Sequence, residues 1–258
     1  MSFLELKKVS FKYDDSLPLL LNEISINFAQ GDFDFLIGLN GAGKTTLLKL
    51  LIRRLFPSSG EITLERKNIS SFSAKELSRI IAYVPQDYGS IFPFTIYDFV
   101  AGGRTPFMNY FGIPNNNDKK VIDKYLDMLG IAGLKKKALT KVSGGELRRA
   151  MLARALAQQP KILILDEPNA HLDIEHQIKM FELLEFMNKE EGLTVITVSH
   201  DLNLTSMFSK NVVMLNGGRA VKSRASEFFN RENVKKYFNV NSEINARQNF
   251  TNVTILRS

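Results

Sequence analysis

Residues 38–45 read GLNGAGKT, which fits the pattern G-x-x-x-x-G-K-[S/T] position for position. The chemistry of that pattern is phosphate binding. Gly38, Gly41 and Gly43, with Asn40 and Ala42 between them, let backbone N–H groups wrap an anion. Lys44 would reach the β- and γ-phosphates, Thr45 would hold Mg²⁺ through its hydroxyl, and Thr46 continues the loop into a helix. A second cluster is ILILDEP at 162–168, four apolar residues followed by two carboxylates. Asp166 would hold Mg²⁺ through water. Glu167 is the candidate general base for an attacking water, a role worth roughly 10²–10⁴ in rate. A third apolar run ends in His200, the candidate contact for the γ-phosphate. Gln86 follows AYVP; its amide could bind Mg²⁺ or the attacking water, or lie on the surface of a domain junction. Tyr13, in FKY, is either a ring that stacks on adenine or a plain strand residue.

A further stretch, VSGGELRRA at 142–150, raises a question. A hydroxyl residue and two glycines run at once into a helical pattern, which again makes an anion-binding backbone. One chain thus carries two such devices. His171 and His176 are not read as a metal site, because the chain has no cysteine and no third histidine near them.

These residues need a scaffold. LELKKVSF and ISINF alternate like half-buried strands, whereas DFLIG, ILILD and LTVITVSH read as strands buried on both faces. Helices are expected over about 43–54, in DKKVIDKYLDML with Val121, Ile122, Tyr125, Leu126 and Leu129 on one face, in GELRRAMLARALAQ and in IEHQIKMFELLEFM. Buried strands alternating with helices predict an α/β fold with a largely parallel sheet. Residues 87–117 read as loops rich in glycine, proline and aromatics. The helix-rich middle, about 87–158, reads as an inserted lobe. The tail from about 226 is expected to hold a short helix and one or two weak strands.

Composition sets the bounds. The 258 residues are 44% apolar and 24% charged, enough for a substantial core. Without cysteines, disulfides and thiolate metal sites are excluded. Charges interrupt MSFLELKKVSF too early for a signal peptide. Apolar runs such as ILIL fall far short of the ~20 residues of a membrane span. The chain is expected to be soluble or held at a membrane by something else. The net charge of +7 is read as a basic surface; KKK at 135–137 has no interleaved aromatics, so no nucleic-acid partner is expected.

Read in order, these motifs resemble the ATP-binding cassette ATPases over residues 1 to about 225. The sequence has the early aromatic Tyr13, the phosphate loop, Gln86, SGGE at 143–146, DEP at 166–168, HLD ending at Asp173, and His200. SGGE is the discriminating piece. The resemblance implies a P-loop NTPase (RecA-like) core with an antiparallel β subdomain and an inserted α-helical subdomain. It implies an ATPase using ATP and Mg²⁺, with Glu167, His200 and Lys44 catalytic. It also answers the question above: two chains would dimerise head to tail, and Ser143, Gly144, Gly145, Glu146 and Asp173 of one would meet ATP held by the other. Two positions depart from the pattern. Val142 stands where leucine is commoner, and Asn169 where threonine or serine is usual.

TIYDFVAGGRTPF at 95–107, AHLDIEHQ at 170–177 and SHDLNL at 199–204 are similar to the ATPases of importers for iron–siderophore, haem and cobalamin. That likeness implies permease partners in the membrane, a substrate-binding protein outside, and a place at the cytoplasmic face of the cell membrane. Residues 88–111 would form part of a groove for a permease helix. Of Phe92, Phe94 and Phe99, some are expected to dock there rather than fill the lobe's own core. Zinc or manganese importers, and a soluble ATPase of iron–sulfur cluster assembly, remain alternatives. Residues 226–258 are expected to be a short C-terminal extension.

Overall fold

The computed structural model describes residues 2–87, 93–108, 112–170, 172–246 and 250–256. The chain divides into two compact units, Met1–Ser71 with Ile178–Ser258, and Phe72–Gln177.

In the first unit, β1 (Ser2–Phe11) lies between β2 (Leu21–Ala29) and β4 (Ser59–Leu64), antiparallel to both. Leu6 pairs with Ile26 on one side and Ile62 on the other. The short β5 (Lys67–Asn68) extends this sheet beyond β4. Alternation along β2 buries Ile24, Ile26 and Phe28 and leaves the residues between them outward, the half-buried pattern expected. A second layer is parallel. β3 (Phe33–Ile37) is flanked by β8 (Thr194–Val198) and β9 (Asn211–Asn216), with Leu36 beside Val198 and Val213. β10 (Arg219–Arg224) closes this edge, antiparallel to β9. Every residue of β3 and β8 is buried, which is why both read as continuous apolar runs.

Helix α1 (Lys44–Leu51) follows β3 after the loop of residues 38–43. Phe181 of α6 (Ile174–Glu191) packs between Phe35 and Phe208 of α7 (Leu202–Phe208), with ring centroids 5.4 Å apart on each side. The tail holds more structure than the sequence suggested. It contains α8 (Ala225–Phe228), α9 (Arg231–Phe238) and a hairpin of β11 (Asn241–Ala246) and β12 (Thr251–Leu256).

The second unit contains α2 (Ala74–Ser78) and the parallel pair β6 (Ile81–Val84) and β7 (Ile162–Asp166), with Val84 beside Leu165. Around them lie α3 (Ile96–Ala101), a 3₁₀ segment (Gly102–Phe107), α4 (Asn116–Met128) and α5 (Gly144–Ala157). The expected apolar face of α4 is buried at Val121, Ile122, Tyr125, Leu126 and Leu129. Helical structure at 96–107 stands where loops were expected. Thr95 caps α3 by accepting the Asp98 N–H at 3.1 Å. Arg104, buried beyond, donates to Asp118 at 2.9 Å and to the Ala157 carbonyl at 2.7 Å. Such tertiary anchors stabilise a short helix that its own propensity would not. Phe99 is core, at 4% exposure, whereas Phe94 is 55% exposed. Phe92 and the stretches 88–92 and 109–111 of the expected groove lie outside the described residues.

Candidate active site

The phosphate loop is shaped by positive backbone angles. Gly38 has φ +152°, and a Cβ there would stand 2.3 Å from the Leu215 carbonyl oxygen of β9, so only glycine fits. Gly41 and Gly43 have φ +78° and +97°, and Gly43 is the N-cap of α1. Lys44 is buried, and its ammonium donates to the carbonyls of Gly38 at 2.8 Å and Leu39 at 3.0 Å. The charge is therefore held over its own loop. Asn40 is exposed, and Ala42 and Thr45 are half-buried. Thr46 is buried, and its hydroxyl lies 2.8 Å from the Tyr13 hydroxyl. Tyr13 packs edge-on against Phe11, with centroids 4.9 Å apart, and stays 57% exposed. The ring is thus tied to the loop through its hydroxyl and remains largely exposed. His200 follows β8 at the same sheet edge, because β8 runs parallel to β3 and Val198 pairs with Leu36. It is exposed, next to Asp201, whose carboxylate caps α7.

In the second unit, Gln86 follows β6, while Asp166 ends β7 with Glu167 next in sequence. Parallel pairing brings these ends together. Asp166 is 1% exposed and accepts a bond of 3.3 Å from the Tyr83 hydroxyl. Glu167 has φ +49°, a left-handed conformation that a glutamate adopts only when its surroundings impose it. Gln86 Nε2 donates to Glu167 Oε2 at 2.9 Å. Arg148 of α5, buried at 8% exposure, donates to the carbonyls of Pro85 at 2.9 Å and Gln86 at 2.6 Å. Burial lowers the guanidinium pKa, against the charges of Asp87, Glu167 and Asp166, which raise it.

The SGGE segment forms the N-terminus of α5. Ser143 is the N-cap and accepts the Glu146 N–H at 3.2 Å; Glu146 returns the bond by accepting the Ser143 N–H at 2.8 Å. Lys137 adds a bond to the same carboxylate at 3.0 Å. The Ser143 N–H, followed by Lys137, holds the Glu146 carboxyl below the usual carboxylate range. Gly144 and Gly145 occupy the first two helical positions, whose N–H groups have no acceptor within a helix. Among the described residues, a Cβ placed on Gly144 would meet nothing within 4 Å beyond its chain neighbours and its own helix backbone. The helix thus begins with the Glu146 carboxylate turned onto its own cap. Asp173, at the start of α6, accepts from the His176 N–H at 2.9 Å and lies 2.7 Å from its Nδ1. His171 lies outside the described residues.

Sequence reasoning passed over Tyr83 and Arg148. A signal existed for the second: Arg148 shares spacing i, i+3, i+4, i+7 with the buried Met151, Leu152 and Ala155.

The sequence profile of the ABC transporter family matches residues 21–170. The chain belongs to the ABC transporter family. It is an ATP-binding cassette and an ATPase, built on the P-loop NTPase fold. Over 245 residues the cassette is 33% identical to the iron(3+)-hydroxamate import ATP-binding protein FhuC of Bacillus subtilis, covering 95% of this chain and 90% of that protein. It is 35% identical over 202 residues to the ferric enterobactin transport ATP-binding protein FepC of Escherichia coli, covering 78% and 74%. Among solved structures, a chain of an ABC transporter described as of metal-chelate type, in an inward-facing conformation, superposes with a TM-score of 0.85 at 26% identity, covering 100% of this cassette and 98% of that chain. A cassette solved as a dimer in a post-hydrolysis state with ADP and Pi gives a TM-score of 0.75 at 26% identity, covering 86% and 99%. Among the described residues no helix is long and apolar enough to cross a membrane.

Proposed function

We propose that this cassette is the ATP-hydrolysing subunit of an importer for metal chelates, of the iron–siderophore, haem or cobalamin class. The observation that carries this reading is the similarity along nearly the whole chain to an iron-chelate import ATP-binding protein. Two copies would meet head to tail on ATP, each offering its Ser143, Gly144 and Gly145 to the nucleotide on the other's phosphate loop. The exposed start of α5 supports this, since its capping box is complete and still leaves the first helical N–H groups for an outside anion. The dimer would sit at the cytoplasmic face of the membrane against integral permease subunits, with a substrate-binding protein delivering cargo on the far side. Phe94, exposed on the inserted unit, is a candidate permease contact.

The residues have defined tasks in this reading. Lys44 and the N–H groups of residues 38–46 bind the β- and γ-phosphates, and Tyr13 stacks on the base. Glu167 takes the proton of the attacking water, and His200 donates to the γ-phosphate as negative charge builds. Asp173 approaches the partner's nucleotide. The hydroxyl of Thr45, the carboxylate of Asp166 and the amide oxygen of Gln86 are each a hard oxygen donor of the kind Mg²⁺ takes. Because Gln86 bonds Glu167 through Nε2, its oxygen remains on the acceptor side. Mg²⁺ would supply neutralisation of phosphate charge.

The test is to tag the chain in its native host, solubilise membranes gently and identify what co-purifies. A polytopic permease supports the reading, and the reconstituted complex can then be assayed with a siderophore, haem and cobalamin. If only soluble partners co-purify and the chain is absent from membranes, the importer reading is lost while the ATPase remains.

A further inference from the structure

The C-terminal hairpin is held by the helix that follows His200. Asn203 of α7 accepts the Val253 N–H at 2.8 Å and donates to the Val253 carbonyl at 3.3 Å. One turn on, Ser206 accepts the Thr251 N–H at 2.7 Å and donates to the Thr251 carbonyl at 2.6 Å. In an antiparallel strand, a residue's N–H and C=O point to one side, and alternate residues share that side. Thr251 and Val253 therefore present the outer edge of β12, the edge away from β11. Two side chains of α7 complete that edge as a neighbouring strand would. Val253 and Ser206 are both buried at this seam. A two-stranded hairpin is marginal alone in water, so β11 and β12 depend on the helix, and the helix gains four bonds from them.

The other end of α7 is the site. Asp201 caps it by accepting the Asn203 and Leu204 N–H groups at 2.8 and 3.0 Å, and Thr205 donates to the Asp201 carbonyl at 2.7 Å. Ser199 accepts the Asp201 N–H at 3.0 Å. His200 lies between Ser199 and Asp201, so its backbone is fixed by β8 on one side and by α7 on the other. The helix has only seven residues, too few to hold its orientation without a tertiary partner.

We propose that Asn203 and Ser206 are positioning residues for ATP hydrolysis: by docking β12 they fix α7, and α7 fixes His200. The tail thereby acquires a role in setting the reaction, and Asn203, inside SHDLNL, acquires a reason for its type. This inference rests on the reading that His200 contacts the γ-phosphate.

Its test is a cycle of variants in the full-length chain. Single-turnover hydrolysis at saturating MgATP is measured for the parent, for His200→Ala, for Asn203→Leu with Ser206→Ala, and for all three changes together. ATP affinity and thermal unfolding are measured alongside. The paired change should slow hydrolysis about threefold to thirtyfold with ATP affinity retained, and should add nothing once His200 is alanine. If the paired variant unfolds at the assay temperature, Ser206→Ala alone enters the same cycle with a smaller expected loss. Equal slowing with and without His200 overturns the inference, as does a full rate in the docking variants while His200→Ala is slow. A full rate in His200→Ala removes the underlying reading and the inference with it.

Discussion

The side-chain amide of Gln86 donates a hydrogen bond of 2.9 Å to the carboxylate of Glu167. Glutamate at this point has φ +49°, and it sits directly after the buried Asp166. The backbone that carries this amide is held in turn, because Arg148 donates to the carbonyls of both Pro85 and Gln86. A run of contacts therefore leads from α5, the helix capped by Ser143, to the carboxylate that would take a proton from water.

Replacing that carboxylate by its neutral isostere separates binding from chemistry. Glu167→Gln should bind ATP and lose about 10²–10⁴ in turnover, since the shape stays and the base is gone. It should also accumulate an ATP-bound dimer. Light scattering at saturating MgATP checks this; a variant that stays monomeric would falsify the head-to-tail arrangement.

Arg148→Lys keeps the charge but cannot bond two carbonyls with one planar fork. The expected result is a destabilisation of about 1–3 kcal/mol by denaturant unfolding, with a buried acceptor left short of its donor. Turnover should fall as well, because Gln86 is no longer held against Glu167. Unchanged stability and turnover in this variant would mean that the grip on Pro85 and Gln86 is dispensable.

The start of α5 has a structural role and, in the proposed dimer, a binding role, and the two can be separated. Ser143→Ala removes the cap, at a cost of about 1 kcal/mol, and removes the hydroxyl that the proposed dimer would offer to the partner's nucleotide. Ser143→Asp restores the cap and places a carboxylate against the phosphates. Stability should recover in the aspartate variant while ATP-driven dimerisation does not. Recovery of both, read by unfolding and by size-exclusion with MgATP, would count against contact in trans.

Asp34 gives a pH signature away from the site. It is fully buried, with Asn211 at 2.8 Å and Lys222 at 3.0 Å. Burial raises its pKa to about 6, against the pull of Lys222. The folded state thus holds a proton where the unfolded chain, at the ordinary 3.8, has released it. Stability from this group is fully present below the unfolded value and is lost as pH rises through about 6. Asp32, whose pKa is lowered, changes its contribution below that window. The stability of the parent chain relative to Asp34→Asn should therefore decline between about pH 4 and about pH 6. Parallel pH dependences in denaturant unfolding would refute the assignment.

Much of the candidate site was legible because its chemistry is local. A phosphate loop needs glycines, a lysine and a hydroxyl at fixed spacing, and GLNGAGKT states them outright. The two glycines that open α5 after Ser143 are equally local, whereas the capping box that Glu146 closes there came from the structure. The α4 face was legible from periodicity alone. The helix at 96–101 was not, since Thr95, Arg104 and Asp118 stabilise it through contacts that composition hides. Phe94 and Phe99 looked alike in the sequence and separated in the fold, one exposed and one core.

By itself the sequence determined which residue types stand at the spacings of an ATP-binding cassette, and so the class of chemistry. Only the tertiary structure decided which of them hold one another. Arg148 reaches Gln86 across 62 positions, Gln86 reaches Glu167 across 81, and Asn203 meets Val253 across 50. Hydrogen bonds of that span depend on where packed strands and helices place their ends. A short motif can encode its own backbone angles, but the partner that fixes a side chain is chosen by the core that brings distant elements together.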